Sequence, residues 1–106
     1  TSEELTHHLQ WIPDDLDVLI THSPPFIKGS SIDVSLQTNS PHFGSREMTA
    51  AIRRAKPRYV FCGHIHSGDH RPLAYHVGRR QITICNVSRV DETYTIAYDP
   101  TIISIP

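Results

Sequence analysis

The sequence has almost no excess of charge: ten Lys and Arg oppose eleven Asp and Glu, for a formal net charge of -1. Nothing in that balance builds the basic face that phosphate backbones require, so strong nucleic-acid binding is not expected, while small nucleotide substrates stay open. No apolar run approaches the ~20 residues a membrane helix needs, and membrane partners are not expected either. Only two cysteines are present, Cys62 and Cys85, each within an apolar run. They read as small core residues of a reducing compartment rather than as a disulfide framework, although sequence alone does not settle their pairing. With no secretory signal pattern, the expected location is cytoplasmic. Internal repeats, low-complexity tracts and domain boundaries are also lacking.

What is there suits one modest globular domain: 106 residues, 38% hydrophobic and 20% charged. Thr1-Ser2-Glu3-Glu4 reads as a helix start, with a hydroxyl cap and acids at the positive end of the dipole. Leu5, Leu9 and Ile12 share a face before Pro13 ends the run. Asp17–Thr21 is a short apolar strand of the kind covered on both faces. From Ser23 to Gly44 the chain is rich in Ser, Pro, Gly and Asn, which suggests a lid or binding loop, or else a mobile surface excursion. Ser45 then caps a helix whose Met48, Ala51, Ile52 and Ala55 form a buried stripe, with Arg53, Arg54 and Lys56 at its negative end. Pro57 stops it, and Arg58–Cys62 is the next strand. Helix followed by apolar strand, twice, is the rhythm of a parallel α/β sheet. Gln81–Cys85 and Thr93–Tyr98 alternate like strands with one wetter face, and Ile102–Ile105 is a candidate last strand.

Chemistry concentrates in histidine, of which there are eight. Gly63-His64-Ile65-His66 follows the Arg58–Cys62 strand, and His22 follows the Asp17–Thr21 strand. In open α/β sheets ligands bind beyond the carboxyl ends of strands, so two strands deliver imidazoles to the expected edge. Gly63 lets the backbone turn sharply and approach an ion or phosphate. If Ile65 continues an extended path, His64 and His66 point the same way and can address one metal or two adjacent ones. Nitrogen donors favour Zn, Mn, Fe or Ni over Mg or Ca. The plainer alternative is three buried histidines satisfied by backbone groups. His70 and His76 fall in the loop after the motif, and His42 in the long loop before the second helix. His70 and His42 are the candidates for contacting substrate phosphate, although each reads more readily as a solvated loop residue. Asp33 reads as a turn residue, with orienting a base or sugar as the alternative, Asn86 as a turn or backbone-capping residue, and His7 and His8 as ordinary helix residues.

The ordered series Asp17-Val-Leu-Ile-Thr-His-Ser-Pro-Pro25, Lys56-Pro57, Phe61-Cys-Gly-His-Ile-His-Ser-Gly68 and Asn86-Val87-Ser88 resembles the calcineurin-like metallophosphoesterases. Its nearest likeness is the metallophosphoesterase-domain-containing (brain 239-like) phosphodiesterase group, from about Trp11 to the C-terminus. The resemblance implies an α/β fold, the C-terminal half of a two-sheet αββα sandwich, with residues 1–106 forming part of a single metallophosphoesterase domain whose N-terminal half is absent. It implies a phosphoric ester hydrolase acting on nucleotide-like diesters through a hydroxide that bridges two divalent transition-metal ions. By position, His22 and His64 would ligate one ion and His66 the other, with His64 and His66 central to catalysis. Two ions ~3.5–4 Å apart are the usual clamp for such a displacement.

The family also places ligands in Asp-x-His, Gly-Asp and Gly-Asn-His motifs upstream of this region. No Asp-x-His or Gly-Asn-His occurs here, and the single Gly-Asp, Gly68-Asp69, lies after the histidine motif. Three imidazoles without a bridging carboxylate leave each ion under-ligated. The chain alone is therefore expected to bind metal weakly, to hydrolyse little, and to pair through exposed sheet edges with the enzyme's N-terminal half or a second copy. A non-catalytic interaction scaffold of the same fold is the rival reading. A mononuclear zinc site is a third, and would need a fourth donor such as His70 or Asp69.

Overall fold

The computed structural model describes residues 1–35 and 42–105. Six elements follow in order: α1 (Ser2–Leu9), β1 (Val18–Ile20), α2 (Arg46–Ala55), β2 (Tyr59–Cys62), β3 (Leu73–Val77) and β4 (Arg80–Asn86). Helix α1 starts with a capping box. The Thr1 hydroxyl accepts from the Glu4 amide at 3.1 Å, and the Glu4 carboxylate takes the Thr1 nitrogen at 3.2 Å. Ser45 caps α2 through the Met48 amide at 3.0 Å, and Lys56 ends it in a left-handed conformation, φ 52°. Arg54, whose charge suits the end of its own helix, also reaches the end of α1. It donates to the carbonyls of Leu9 at 3.2 Å and Ile12 at 2.9 Å, and the Leu9 carbonyl also accepts from Ile12 N–H at 3.2 Å.

The sheet order is β1-β2-β4-β3, with β1, β2 and β4 parallel and β3 antiparallel to β4. This is a mixed α/β fold, one four-stranded sheet of the sandwich expected from sequence. Strand alternation gives the sheet two unlike faces. Val60, Cys62, Ile82 and Ile84 are buried with Ile27, Ile32 and Ile52, and Leu19, Met48, Leu73, Tyr75 and Val77 pack around them. The other face carries Tyr59 stacked on Phe61, and Ile20, which is 76% exposed on edge strand β1. Both cysteines are buried and unbridged.

Several sequence expectations give way here. His76 is on β3, a strand that closes on β4 through Gly78 (φ 60°) and Arg79. The Leu-Ala-Tyr-His-Val alternation was its signal. Thr93–Tyr98 is not a strand, because the Asp91 carboxylate binds the amides of Thr93 and Thr95 and folds the chain into a turn. One isolated bridge, Val90 to Ile96, is all the pairing that segment makes among the described residues. Ile102–Ile105 forms no strand either, and Ile102 stands 89% exposed.

The long loop is a packed structure over its described parts, and positions 36–41 of it lie outside the described residues. Pro24 and Pro25 are fully buried, and Ile27 and Ile32 belong to the core. Its two ends are laced together by Ser45 N–H to the Pro24 carbonyl and Phe26 N–H to the Ser45 carbonyl, both at 3.1 Å. For the described parts, that corrects the alternative of a mobile surface excursion.

Candidate metal centre

The three parallel strands end side by side, and the backbone beyond them stays paired. Thr21 N–H donates to the Phe61 carbonyl at 2.9 Å, Gly63 N–H to the His22 carbonyl at 3.0 Å, and Val87 N–H to the Cys62 carbonyl at 2.8 Å. His22 and the start of the Gly63–His66 segment therefore leave the sheet as neighbours. The result is an imidazole pair: the rings of His22 and His64 have centres 4.7 Å apart, tilted by 44°. Both residues are exposed.

His64 does not continue the strand. Its φ is 67°, and Ile65 N–H donates back to the Gly63 carbonyl at 2.7 Å. A three-residue hydrogen-bonded turn with positive φ at its centre is the rarer and more strained γ-turn form. For a residue with a Cβ, strain of this kind costs ~1–3 kcal/mol and gathers at functional sites. The turn also separates the two motif histidines, against the expectation that an extended Ile65 aligns them. His64 goes to His22, whereas His66 turns to Asp91, whose carbonyl lies 3.1 Å from its Nδ1.

The turn is braced from behind. The amide of buried Asn86 donates to the Ile65 carbonyl at 2.8 Å while its oxygen accepts from the Ser88 amide at 3.1 Å, the capping role expected of it. Gly68 meets the Ile32 carbonyl so closely that a Cβ there would sit 2.1 Å from its oxygen. A side chain at position 68 would push the turn and the long loop apart.

The remaining candidates are not drawn into the His22–His64 pair. His70 stacks on Tyr98 with ring centres 3.6 Å apart and donates from Nε2 to the His66 carbonyl at 2.7 Å. His42 packs edge-on against Phe26, its Nδ1 2.9 Å from the Asp33 carboxylate. Asp33 is fully buried and also accepts from the Gly44 amide at 2.8 Å. It is an internal strut of the long loop, which its reading as a turn residue missed; an acid set between Ile32 and Val34 was the available signal. Asp69 pairs with exposed Arg71, whose guanidinium holds its carboxyl below the usual range. Asp69 supplies no fourth donor to the imidazole pair.

A model of the calcineurin-like phosphoesterase family matches residues 1–68, a span that contains His22, His64 and His66. The chain belongs to that family. UPF0046 protein C25E10.12 of Caenorhabditis elegans is 30% identical over 105 residues, covering 98% of this chain and 35% of its own length. UPF0046 protein K07C11.7 of the same organism is 28% identical over 105 residues, covering 99% of this chain and 32% of its own length. The chain thus spans about a third of the length of these relatives.

Whether the residues present fit a metal divides into two parts. The ring pair fits, since two adjacent, exposed imidazoles can direct nitrogens to one ion at the ~2.0–2.1 Å of a metal–nitrogen bond. A complete site does not follow. Among the described residues no group of three or more His, Cys, Asp or Glu side chains is arranged to hold an ion. No helix among them is long and apolar enough to cross a membrane.

Proposed function

We propose that this chain supplies the imidazole side of a two-metal centre in a metal-dependent phosphoric ester hydrolase, with phosphodiesters of nucleotide type as substrates. The observation that carries the proposal is the His22–His64 ring pair at the carboxyl ends of two paired strands, one ring held there by a strained γ-turn. His22 and His64 would hold one divalent ion, drawn from Mn, Fe, Zn or Ni, and His66 would serve a second. Such ions neutralise charge on the phosphoryl oxygens and provide a nucleophile at neutral pH. The residues' own work is placement. Gly63 brings the backbone in close, Asn86 fixes the turn from behind, and the Nδ1 contact to a carbonyl orients His66 as outer-shell partners orient metal-binding imidazoles. His42 and His70 are the candidate contacts for substrate phosphate. Each has one ring nitrogen engaged, His42 through Asp33 and His70 through the His66 carbonyl.

The carboxylates that such a centre needs are assigned to residues outside these 106, in the N-terminal half of the same enzyme. The exposed edge strand β1 and the Ile20 face of the sheet are where that half, or a second copy, would pair.

The rival reading is a non-catalytic scaffold of the family. One experiment separates them: metal content and Mn²⁺-dependent hydrolysis of bis-para-nitrophenyl phosphate, measured on this chain and on a chain of the relatives' full length. Turnover confined to the longer chain, and lost in His64→Ala, supports the hydrolase. Neither metal nor turnover in the longer chain leaves the scaffold.

A further inference from the structure

Residues 89–98 form a closed loop. The Asp91 Oδ1 accepts from the Thr93 amide at 2.8 Å, the Thr93 hydroxyl at 2.7 Å and the Thr95 amide at 3.2 Å. Asp91 N–H donates to the Thr95 carbonyl at 2.8 Å, and Ala97 and Tyr98 N–H both donate to the Arg89 carbonyl, at 2.8 and 3.0 Å. The loop holds Tyr94 at φ 62°, a conformation a tyrosine adopts only when its surroundings impose it.

This loop meets the histidine turn at four points. His66 Nδ1 lies 3.1 Å from the Asp91 carbonyl, and Ser67 N–H donates to the Glu92 carboxylate at 3.0 Å. Tyr94 stands edge-on to the His66 ring with centres 5.4 Å apart, and Tyr98 stacks on His70 at 3.6 Å. A backbone carbonyl can only accept, so the His66 Nδ1 must carry the hydrogen and the lone pair of the neutral ring lies on Nε2. For His70 the same logic gives the opposite result, because its Nε2 faces the His66 carbonyl.

We propose that residues 89–98 are a clamp that fixes His66 in its Nδ1–H tautomer, with Asp91 as the positioning residue, so that Nε2 is the nitrogen offered to a metal ion. The last clause rests on the metal-centre reading; the tautomer does not. An unconstrained neutral imidazole prefers the Nε2–H form, so the clamp reverses the solution preference.

The test is imidazole ¹⁵N–¹H correlation NMR on the full chain without metal, at pH 8.5, well above the ordinary histidine pKa of about 6.5. His66 should show a protonated Nδ1 and a bare Nε2, with His70 reversed in the same spectrum. In Asp91→Ala His66 should revert to the Nε2–H form, and in Asp91→Asn, whose side-chain oxygen still accepts from the Thr93 and Thr95 amides, it should not. An Nε2–H His66 in the unsubstituted chain overturns the proposal outright, and needs no variant to fold. An unchanged Nδ1–H signal in a folded Asp91→Ala overturns the role of Asp91. Zn²⁺ titration of a chain of the relatives' full length then separates the two readings. Perturbation of His22 and His64 alongside an Nε2–H His66 sinks the clamp but spares the metal centre. A clamped His66 whose Nε2 ignores Zn²⁺ supports the clamp and counts against the metal centre.

Discussion

On the helix-covered face of the sheet, Ile52, Val60, Ile82 and Ile84 are fully enclosed, and each sits in an element its sequence favours. At the carboxyl end of the same strands, two exposed histidines face one another, and His64 and Tyr94 both take positive φ. The first region follows local rules for a chain that must bury apolar surface. The second breaks them within a few residues, and the deviations are held by hydrogen bonds that Asn86 donates and the Asp91 carboxylate accepts. The apolar core and the proposed metal centre thus meet at the carboxyl end of β2, where Cys62 is the strand's last buried residue and Gly63 begins the turn.

The sharpest way to test that division is to damage one end and watch the other. Ile52→Ala removes a fully buried side chain from the centre of the core. It should cost ~2–5 kcal/mol in urea unfolding. In whatever fraction stays folded, His22 and His64 should still respond together to Zn²⁺. Loss of that joint response in folded protein would mean that the core sets the ring pair directly.

The converse substitution is His64→Gly. Glycine takes φ near 67° without a Cβ penalty, so relief of the γ-turn strain should stabilise the chain by ~1 kcal/mol. The same change deletes a donor, and metal affinity should fall by more than the ~10–100-fold that loss of an outer-shell partner costs. Urea midpoints and Zn²⁺ titration read the two effects separately. Unchanged or lower stability would show that His64 makes compensating contacts and that the turn stores no strain.

How far the sequence carried each region follows from the same contrast. The α2 stripe of Ala51, Ile52 and Ala55 and both helix caps were legible because periodicity and capping are local signals. His22 and His64 were legible as site candidates because strand ends announce themselves through glycine and polar residues. Their grouping apart from His66 was implied by the family resemblance alone; the strand period instead aligned His64 with His66, because the direction of a side chain after a turn depends on the sign of φ at His64. Asp33 was missed for a related reason: its partners, His42 and the Gly44 amide, lie nine and eleven residues away in a loop with no period to read. The alternation in Thr93–Tyr98 misled because one carboxylate, Asp91, outcompeted strand pairing for the backbone amides.

The two cysteines probe the boundary between the regions. Burial, with Cys85 nearby, pushes the Cys62 thiol up to about 12, and burial raises Cys85 as well. The unfolded chain ionises its thiols near 8.5 while the fold keeps Cys62 protonated, so stability should decline as pH rises past that value towards about 12. At pH 8, a thiol reagent should modify Cys62 only as fast as the chain opens. Rapid modification without unfolding would mean that solvent enters beneath the Gly63 turn.

The smallest effect belongs to the exposed loop. Hydrogen bonds from the Thr93 hydroxyl first, then from the Thr93 and Thr95 amides, hold the Asp91 carboxyl below its ordinary value. A depressed carboxyl contributes stability that is present above the ordinary pKa of about 3.9 and is lost as pH falls through the folded value. The turn should therefore outlast most carboxylates on acidification. Between pH 6 and 4 the amide resonances of Thr93 and Thr95 should hold their positions, and they should move together below pH 4 as the acceptor is protonated. If they shift near pH 4.5 instead, the Asp91 turn is weaker than its three hydrogen bonds imply, and an edge region held by polar contacts alone would not keep its shape.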